Sequence, residues 1–133
     1  MVLVKVKMGT SNVHGIGIFA DQFIPKGTIT WQFTPWFDRA YSEEELNKMS
    51  ETAREEVLWY AYFDKQSNKY HLCSDDYRFI YHSSKKERIN IASTPSKDTS
   101  LRDIQAGEEL LCDYNKFDDT YFSRLGIIQK QLV

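Results

Sequence analysis

A mainly β, α+β fold is what this sequence predicts, and three observations carry the prediction. Short runs of alternating apolar and polar residues recur along the chain. One stretch of helical spacing, about 42–63, interrupts them, and strands never alternate with helices in the manner of a parallel βαβ sheet. With 133 residues the chain suits one domain, 1–133, long enough to bury a core and too short for two. Its 41% hydrophobic and 27% charged content is that of an ordinary globule rather than a disordered chain.

Taken in order, Val2, Val4 and Val6 alternate with Leu3, Lys5 and Lys7 and predict an opening strand with one buried face. A polar corner, Gly9 to Asn12, leads to Gly15-Ile16-Gly17, two residues without Cβ placed so that backbone amides can approach a ligand; alone, they read equally as turn glycines in a hairpin. Pro25 and Gly27 sit where a type I turn wants them, and Ile29, Trp31 and Phe33 then alternate with Thr28, Thr30 and Gln32 as the next strand. Ser42-Glu43-Glu44-Glu45 is a capping box that opens a short helix. A second helix starts after Ser50, with Ala53, Val57, Leu58 and Ala61 at helical spacing. Its end, Trp59-Tyr60-Ala61-Tyr62-Phe63, suits a helix terminus packed on a sheet and also the wall of a peptide groove. Asp64 to Lys69 is a turn before a strand through Tyr70 and Leu72, Ser84 to Arg88 a solvated charged loop, and Ser93 to Ser100, with Pro95, a turn-rich connection. Gly107 closes a turn into a short strand on which Leu110, Cys112 and Tyr114 share a face. From Thr120 to Gln131, an aspartate cap with Tyr121, Leu125, Ile128 and Leu132 predicts a short C-terminal helix weakened at Gly126.

Composition excludes several classes of function. A net charge of −2 gives no reason to expect nucleic-acid binding and favours a basic partner. Cys73 and Cys112 cannot build a zinc cluster, and neither C-x-x-C nor H-E-x-x-H occurs, so no metal is expected. Lysine interrupts the start too early for a secretory apolar region and no run approaches a membrane span, which makes the cytoplasm, with reduced thiols, the expected compartment.

Three segments carry the chemistry. They are His14-Gly15-Ile16-Gly17-Ile18-Phe19-Ala20, then Arg78-Phe79-Ile80-Tyr81-His82-Ser83, then Glu109-Leu110-Leu111-Cys112-Asp113-Tyr114. In this order they resemble the G-x-G, R-F-x-N-H-S and E-L-x-x-D-Y marks of the SET-domain protein lysine methyltransferases, most closely the short zinc-free members of bacteria and viruses. The resemblance implies a SET fold of short β-sheets with a small helical insert and a C-terminal tail, about 115–133. In that fold a knot-like crossing sets residues 81–83 beside 113–114. It implies S-adenosyl-L-methionine as cofactor and methyl transfer to the ε-amine of lysine in a protein or peptide, a histone tail among the candidates, with the oligomeric state open and a dimer compatible. Tyr114 takes the catalytic place. The cofactor is expected against His14, Gly15, Ile16 and Gly17, with Tyr81 and His82 below it and Phe117 against the adenine.

The substrate tunnel is expected to be lined by Cys112, Tyr81 and Trp31, and the small Cys112 leaves room for di- or trimethyllysine. In the family the tunnel also desolvates an amine whose ordinary pKa is about 10.4. One departure bears on activity. Where the family has N-H-S-x-x-P-N, this chain has Tyr81-His82-Ser83-Ser84-Lys85-Lys86-Glu87, and a phenol cannot reproduce an amide's paired donor and acceptor. Asn90 is the candidate to replace the second asparagine. The alternative reading is therefore a non-catalytic SET module that binds a peptide or protein partner.

Overall fold

The computed structural model describes residues 1–126. Its strands in chain order are β1 (Val6–Thr10), β2 (Ile16–Ala20), β3 (Ile29–Gln32), β4 (Arg39–Tyr41), β5 (Tyr62–Asp64), β6 (Lys69–Leu72), β7 (Tyr81–His82), β8 (Ile91–Ser93), β9 (Lys97–Ser100) and β10 (Leu111–Cys112). The helices are α1 (Glu43–Asn47), α2 (Glu51–Tyr60) and α3 (Tyr121–Leu125), and 3-10 turns occupy Asp76–Phe79, Lys86–Arg88 and Tyr114–Lys116. The strands form four small sheets: β1-β2, β3-β9-β8, β4-β6-β5 and the pair β10-β7. Mainly short strands with few helices is the expected class.

Two turns hold the centre. Ile24 and Ile104 exchange backbone hydrogen bonds at 2.9 and 2.8 Å, both side chains fully buried, each worth about 1.5–3 kcal/mol of apolar burial. Each runs into a turn closed three residues on, Thr28 N to Pro25 O and Glu108 N to Gln105 O, with Gly27 and Gly107 at φ of +82° and +92°. Positive φ at the third position makes these type II turns, so the expected type I turn at Gly27 is corrected by the one torsion a side chain resists.

Several elements differ from the sequence expectation for identifiable reasons. The opening strand pairs only from Val6, because residues 2–5 bond singly to flanking segments, Leu3 N to Thr30 O and Asp21 N to Lys5 O; Val2, Val4 and Val6 still pack on the core. A bulge between Ile29 and Trp31 breaks the alternation of β3, leaving Ile29 exposed and burying Thr30, whose hydroxyl meets Tyr77 Oη at 2.9 Å. Residues 93–100 belong to a β8–β9 hairpin, with 94–96 as its turn, rather than to a loose connection, and β9 is the central strand of its sheet.

The capping box forms as expected, Glu45 N to Ser42 Oγ at 3.1 Å and Ser42 N to Glu45 Oε2 at 2.7 Å; those bonds hold the Glu45 carboxyl below its usual range. Ser50 caps α2 at Ala53 N, yet no residue of α2 is buried, so the helix sits at the rim. Helix α3 stops at Gly126, which is left-handed at φ +67°, and the expected continuation through Ile128 and Leu132 lies outside the described residues. Thr120, not an aspartate, is its N-cap position; the Asp118 carboxylate accepts from Thr120 N and Oγ1 just ahead of it.

Candidate active site

The site is built on the parallel pairing of β7 with β10, which sets Tyr81 beside Leu111 and His82 beside Cys112. Strands of two residues cannot hold such a crossing by themselves. Asn90 clamps it: its Nδ2 donates to Glu109 O at 2.8 Å, its Oδ1 accepts from Leu111 N at 2.9 Å, and its backbone N donates to Leu111 O at 3.1 Å. Ser83 N adds a bond to Cys112 O at 3.0 Å. Asn90 thus satisfies buried backbone groups that would otherwise be costly.

Beyond Cys112 the chain leaves the strand. Asp113 accepts from Asn115 N and starts the 3-10 turn, which rotates Tyr114 off the face that period-two alternation predicts. Tyr114 N donates to His82 Nδ1 at 3.1 Å, and Asp113 Oδ1 lies 3.4 Å from the same nitrogen. An Nδ1 that accepts makes His82 neutral, and burial lowers its pKa, with Asp113 opposing. Its Nε2 is buried without a partner, so His82 is a strut under Tyr114 rather than an exposed acid or base. The Tyr114 ring meets Tyr121 at 4.9 Å and Phe117 at 5.6 Å, both edge-on, and stacks on Phe122 at 5.9 Å. Its hydroxyl donates to Ile80 O at 2.5 Å, and burial pushes its pKa well up. With the proton committed to Ile80, the oxygen offers its lone pairs to an occupant of the pocket.

That pocket has an aromatic wall. Trp31, Tyr62, Tyr77, Tyr81, Tyr114 and Phe117 line it together with Cys73 and Asp98, and the end of α2 closes it through Trp59, Tyr60 and Ala61. Trp31 stacks on Tyr77 at 6.0 Å and meets Tyr62 edge-on at 6.3 Å. The rim is fastened by residues that no short-range sequence pattern reveals. Arg124 donates to the carbonyls of Leu58 and Ala61, each at 2.8 Å, and to Asp118 Oδ2 at 2.9 Å, while Tyr121 Oη donates to Trp59 O at 2.6 Å. The tail therefore satisfies the open carbonyls at the C-terminal end of α2.

Of the residues singled out from sequence, Tyr114, Tyr81, Phe117 and Trp31 share this pocket, and His82 lies directly behind Tyr114. His14 and Gly15 join it at one edge: the His14 and Tyr81 rings are 6.0 Å apart, and Tyr81 Oη stands 3.5 Å from where a Cβ on Gly15 would be. Ile16 is exposed beside them. Two residues are placed elsewhere. Gly17 is buried, and a Cβ there would overlap Glu109 Oε1; that carboxylate accepts from Ser11 Oγ at 2.5 Å and Asn12 N at 3.1 Å, so the bare Cα makes room for a carboxylate that ties down the β1–β2 turn. Cys112 is fully buried in the core and is not part of the pocket wall; the thiol that lines the pocket is Cys73. The argument that a small Cys112 widens the tunnel accordingly loses its footing. No cluster of three or more metal-ligating side chains occurs among the described residues, and none of their helices is long and apolar enough to cross a membrane.

A parallel two-strand crossing, a tyrosine hydroxyl sunk in an aromatic pocket and a capped helical insert at its rim define the class: a SET-type domain. The SET-domain family model matches residues 15–115, and the chain belongs to that family of protein lysine methyltransferases, whose cofactor is S-adenosyl-L-methionine. No curated protein matches the sequence. Among solved structures, the Chaetomium thermophilum polycomb repressive complex 2 in an autoinhibited conformation bound to S-adenosylmethionine is similar at 22% identity and a TM-score of 0.63, over 93% of this chain and 17% of that one. The same complex without ligand in an autoinhibited state gives 22% and 0.64, over 92% and 17%. An active polycomb repressive complex 2 in the basal state gives 24% and 0.61, over 84% and 15%. These likenesses establish the fold, and this chain spans only about a sixth of the length of those chains.

Proposed function

We propose that this chain transfers a methyl group from S-adenosyl-L-methionine to the ε-amine of a lysine in a protein substrate. The observation that carries the reading is Tyr114, whose hydroxyl proton is held by Ile80 O and which lines an aromatic pocket. The cofactor supplies an activated methyl group, and no metal is called for. His14, Gly15, Ile16, Tyr81 and Phe117 would hold it. The protein's part is to align and to dry. The aromatic walls disfavour an ammonium and so lower the lysine pKa, they fix the amine for in-line attack, and the Tyr114 oxygen accepts an N–H of that amine. His82 keeps Tyr114 in place through the 3.1 Å bond to its backbone.

One observation favours the second reading, a SET module that binds a peptide without turnover: the Tyr81 ring, where relatives carry an asparagine, packs on His14 and Gly15, two of the residues that would hold the cofactor. Calorimetric titration with S-adenosyl-L-methionine separates the two. The methyltransferase reading expects saturable binding, tightened by about tenfold in Tyr81→Asn, where one amide hydrogen bond to a charged ligand is regained. Absence of binding in both proteins leaves the partner-binding module.

A further inference from the structure

A carboxyl is buried in the same pocket, and the reaction outlined above gives it no part. Asp98 stands on β9 opposite Trp31 of β3, is 5% exposed, and lines the pocket with Tyr114. Among the described residues it enters no ion pair. The groups that act on its carboxyl are neutral. The hydroxyls of Ser93 on β8 and of Tyr77 bear on it directly. Tyr62 of β5, Cys73 after β6 and Cys112 of β10 feel its charge, and burial pushes each of them up, so all stay protonated through the neutral range. Of the charged groups further out, Asp38, Asp64 and Asp75 act on Tyr62 and Cys73 and are acidic as well; the Met1 ammonium, which also acts on Cys73, is paired with Asp38 at 2.7 Å; Arg78, which lines the same pocket, lies over the Tyr60 ring and donates from Nε to Cys73 O; and His71, 3.3 Å from Tyr62 Oη, is held low by burial.

A carboxylate enclosed without a counter-ion costs several kcal/mol unless a cation reaches it. We propose that Asp98 is the anionic counter-group that admits the alkylammonium side chain of the substrate lysine to this pocket. The inference deepens the methyl-transfer reading by naming the group that meets the substrate's charge. Pairing does not trap the substrate in an unreactive form. One proton passes from Nζ to a carboxylate oxygen of Asp98, the ammonium becomes an amine and the carboxylate a carboxylic acid, and the resulting neutral pair is what an apolar pocket favours and what a methyl acceptor must be.

The probe is n-butylammonium, the length of a lysine side chain, with 1-butanol as its uncharged counterpart. Each is titrated into the full chain and followed by amide shifts in NMR spectra, at about pH 5.5 and about pH 8.5, with wild type and Asp98→Asn. Burial raises the Asp98 carboxyl to about 7, so butylammonium should bind wild type about thirtyfold more tightly at the higher pH. Butanol binding should not change with pH, and Asp98→Asn should lose the dependence. Equal butylammonium affinity at both pH values, affinity at the higher pH no better than that of butanol, or an Asp98→Asn protein that keeps the dependence overturns the proposal. Should Asp98→Asn fail to fold, the wild-type comparison decides alone. No cofactor enters this titration, so a chain that transfers no methyl group would end the reading of its function and leave this result standing.

Discussion

Replacing Asp98 with asparagine should make the protein progressively more stable than wild type as the pH rises. In the folded chain burial lifts the Asp98 carboxyl from its ordinary 3.8 to about 7, and the Ser93 and Tyr77 hydroxyls offset only part of that. Unfolded, the same aspartate ionises near its ordinary value. Between the two, the folded state keeps a proton that the unfolded state has released, so wild type loses stability as pH climbs through that window. The whole rise corresponds to about 4 kcal/mol, and the part above about pH 5 to about 3 kcal/mol. Asparagine has no charge to bury. The stability difference between the two proteins should therefore grow by about 3 kcal/mol from pH 5 to pH 8.5, whatever the amide costs in its own right. His71 and His82, both lowered by burial, titrate in both proteins and cancel in the difference. Urea unfolding at four pH values across that range measures it, and a difference constant to within about 0.5 kcal/mol would refute a buried, uncompensated carboxylate.

Two further outcomes follow from the packing. Gly17→Ala should cost about 2–4 kcal/mol, because displacing the Glu109 carboxylate loses its bonds to Ser11 and Asn12; in a Glu109→Ala background only the 3.1 Å approach to Ser11 Cβ remains, so the same substitution should cost about 1 kcal/mol or less, and undiminished cost there means the space serves something else. Asn90→Ala removes both side-chain bonds across the crossing and should cost about 3 kcal/mol or more while lowering hydrogen-exchange protection at Leu111, and unchanged protection there would show that β10 is held by other means.

Features written in neighbouring residues were legible before any coordinates. The serine caps of α1 and α2 and the Gly126 stop are local backbone chemistry, and the Tyr81–Tyr114 neighbourhood came from motif resemblance. What escaped the sequence depends on polar groups facing inward or on long-range contact. The β8–β9 hairpin looked like a loop because Asp98 and Ser100, rather than apolar residues, fill the buried positions of β9. Cys112 was assigned to the wall because alternation was carried past the point where Asp113 turns the chain. Gly17 looked like a ligand-facing glycine because its neighbour Glu109 lies far away in sequence. Arg124 clamps the end of α2 and Asp118 accepts from Phe63 N of β5, each across more than fifty residues of sequence, and no periodicity marks them.

The most direct measurement is mass spectrometry of a panel of histones and a cell lysate after incubation with S-adenosyl-L-methionine and either the wild-type protein or Tyr114→Phe. The central claim, that the Tyr114 hydroxyl serves methyl transfer to lysine, predicts methylated lysine with wild type and a loss of about a hundredfold or more in rate with Tyr114→Phe, whose fold and cofactor affinity should be retained. Methylation by Tyr114→Phe at the wild-type rate, or no methylated lysine with wild type under enzyme excess, would contradict it.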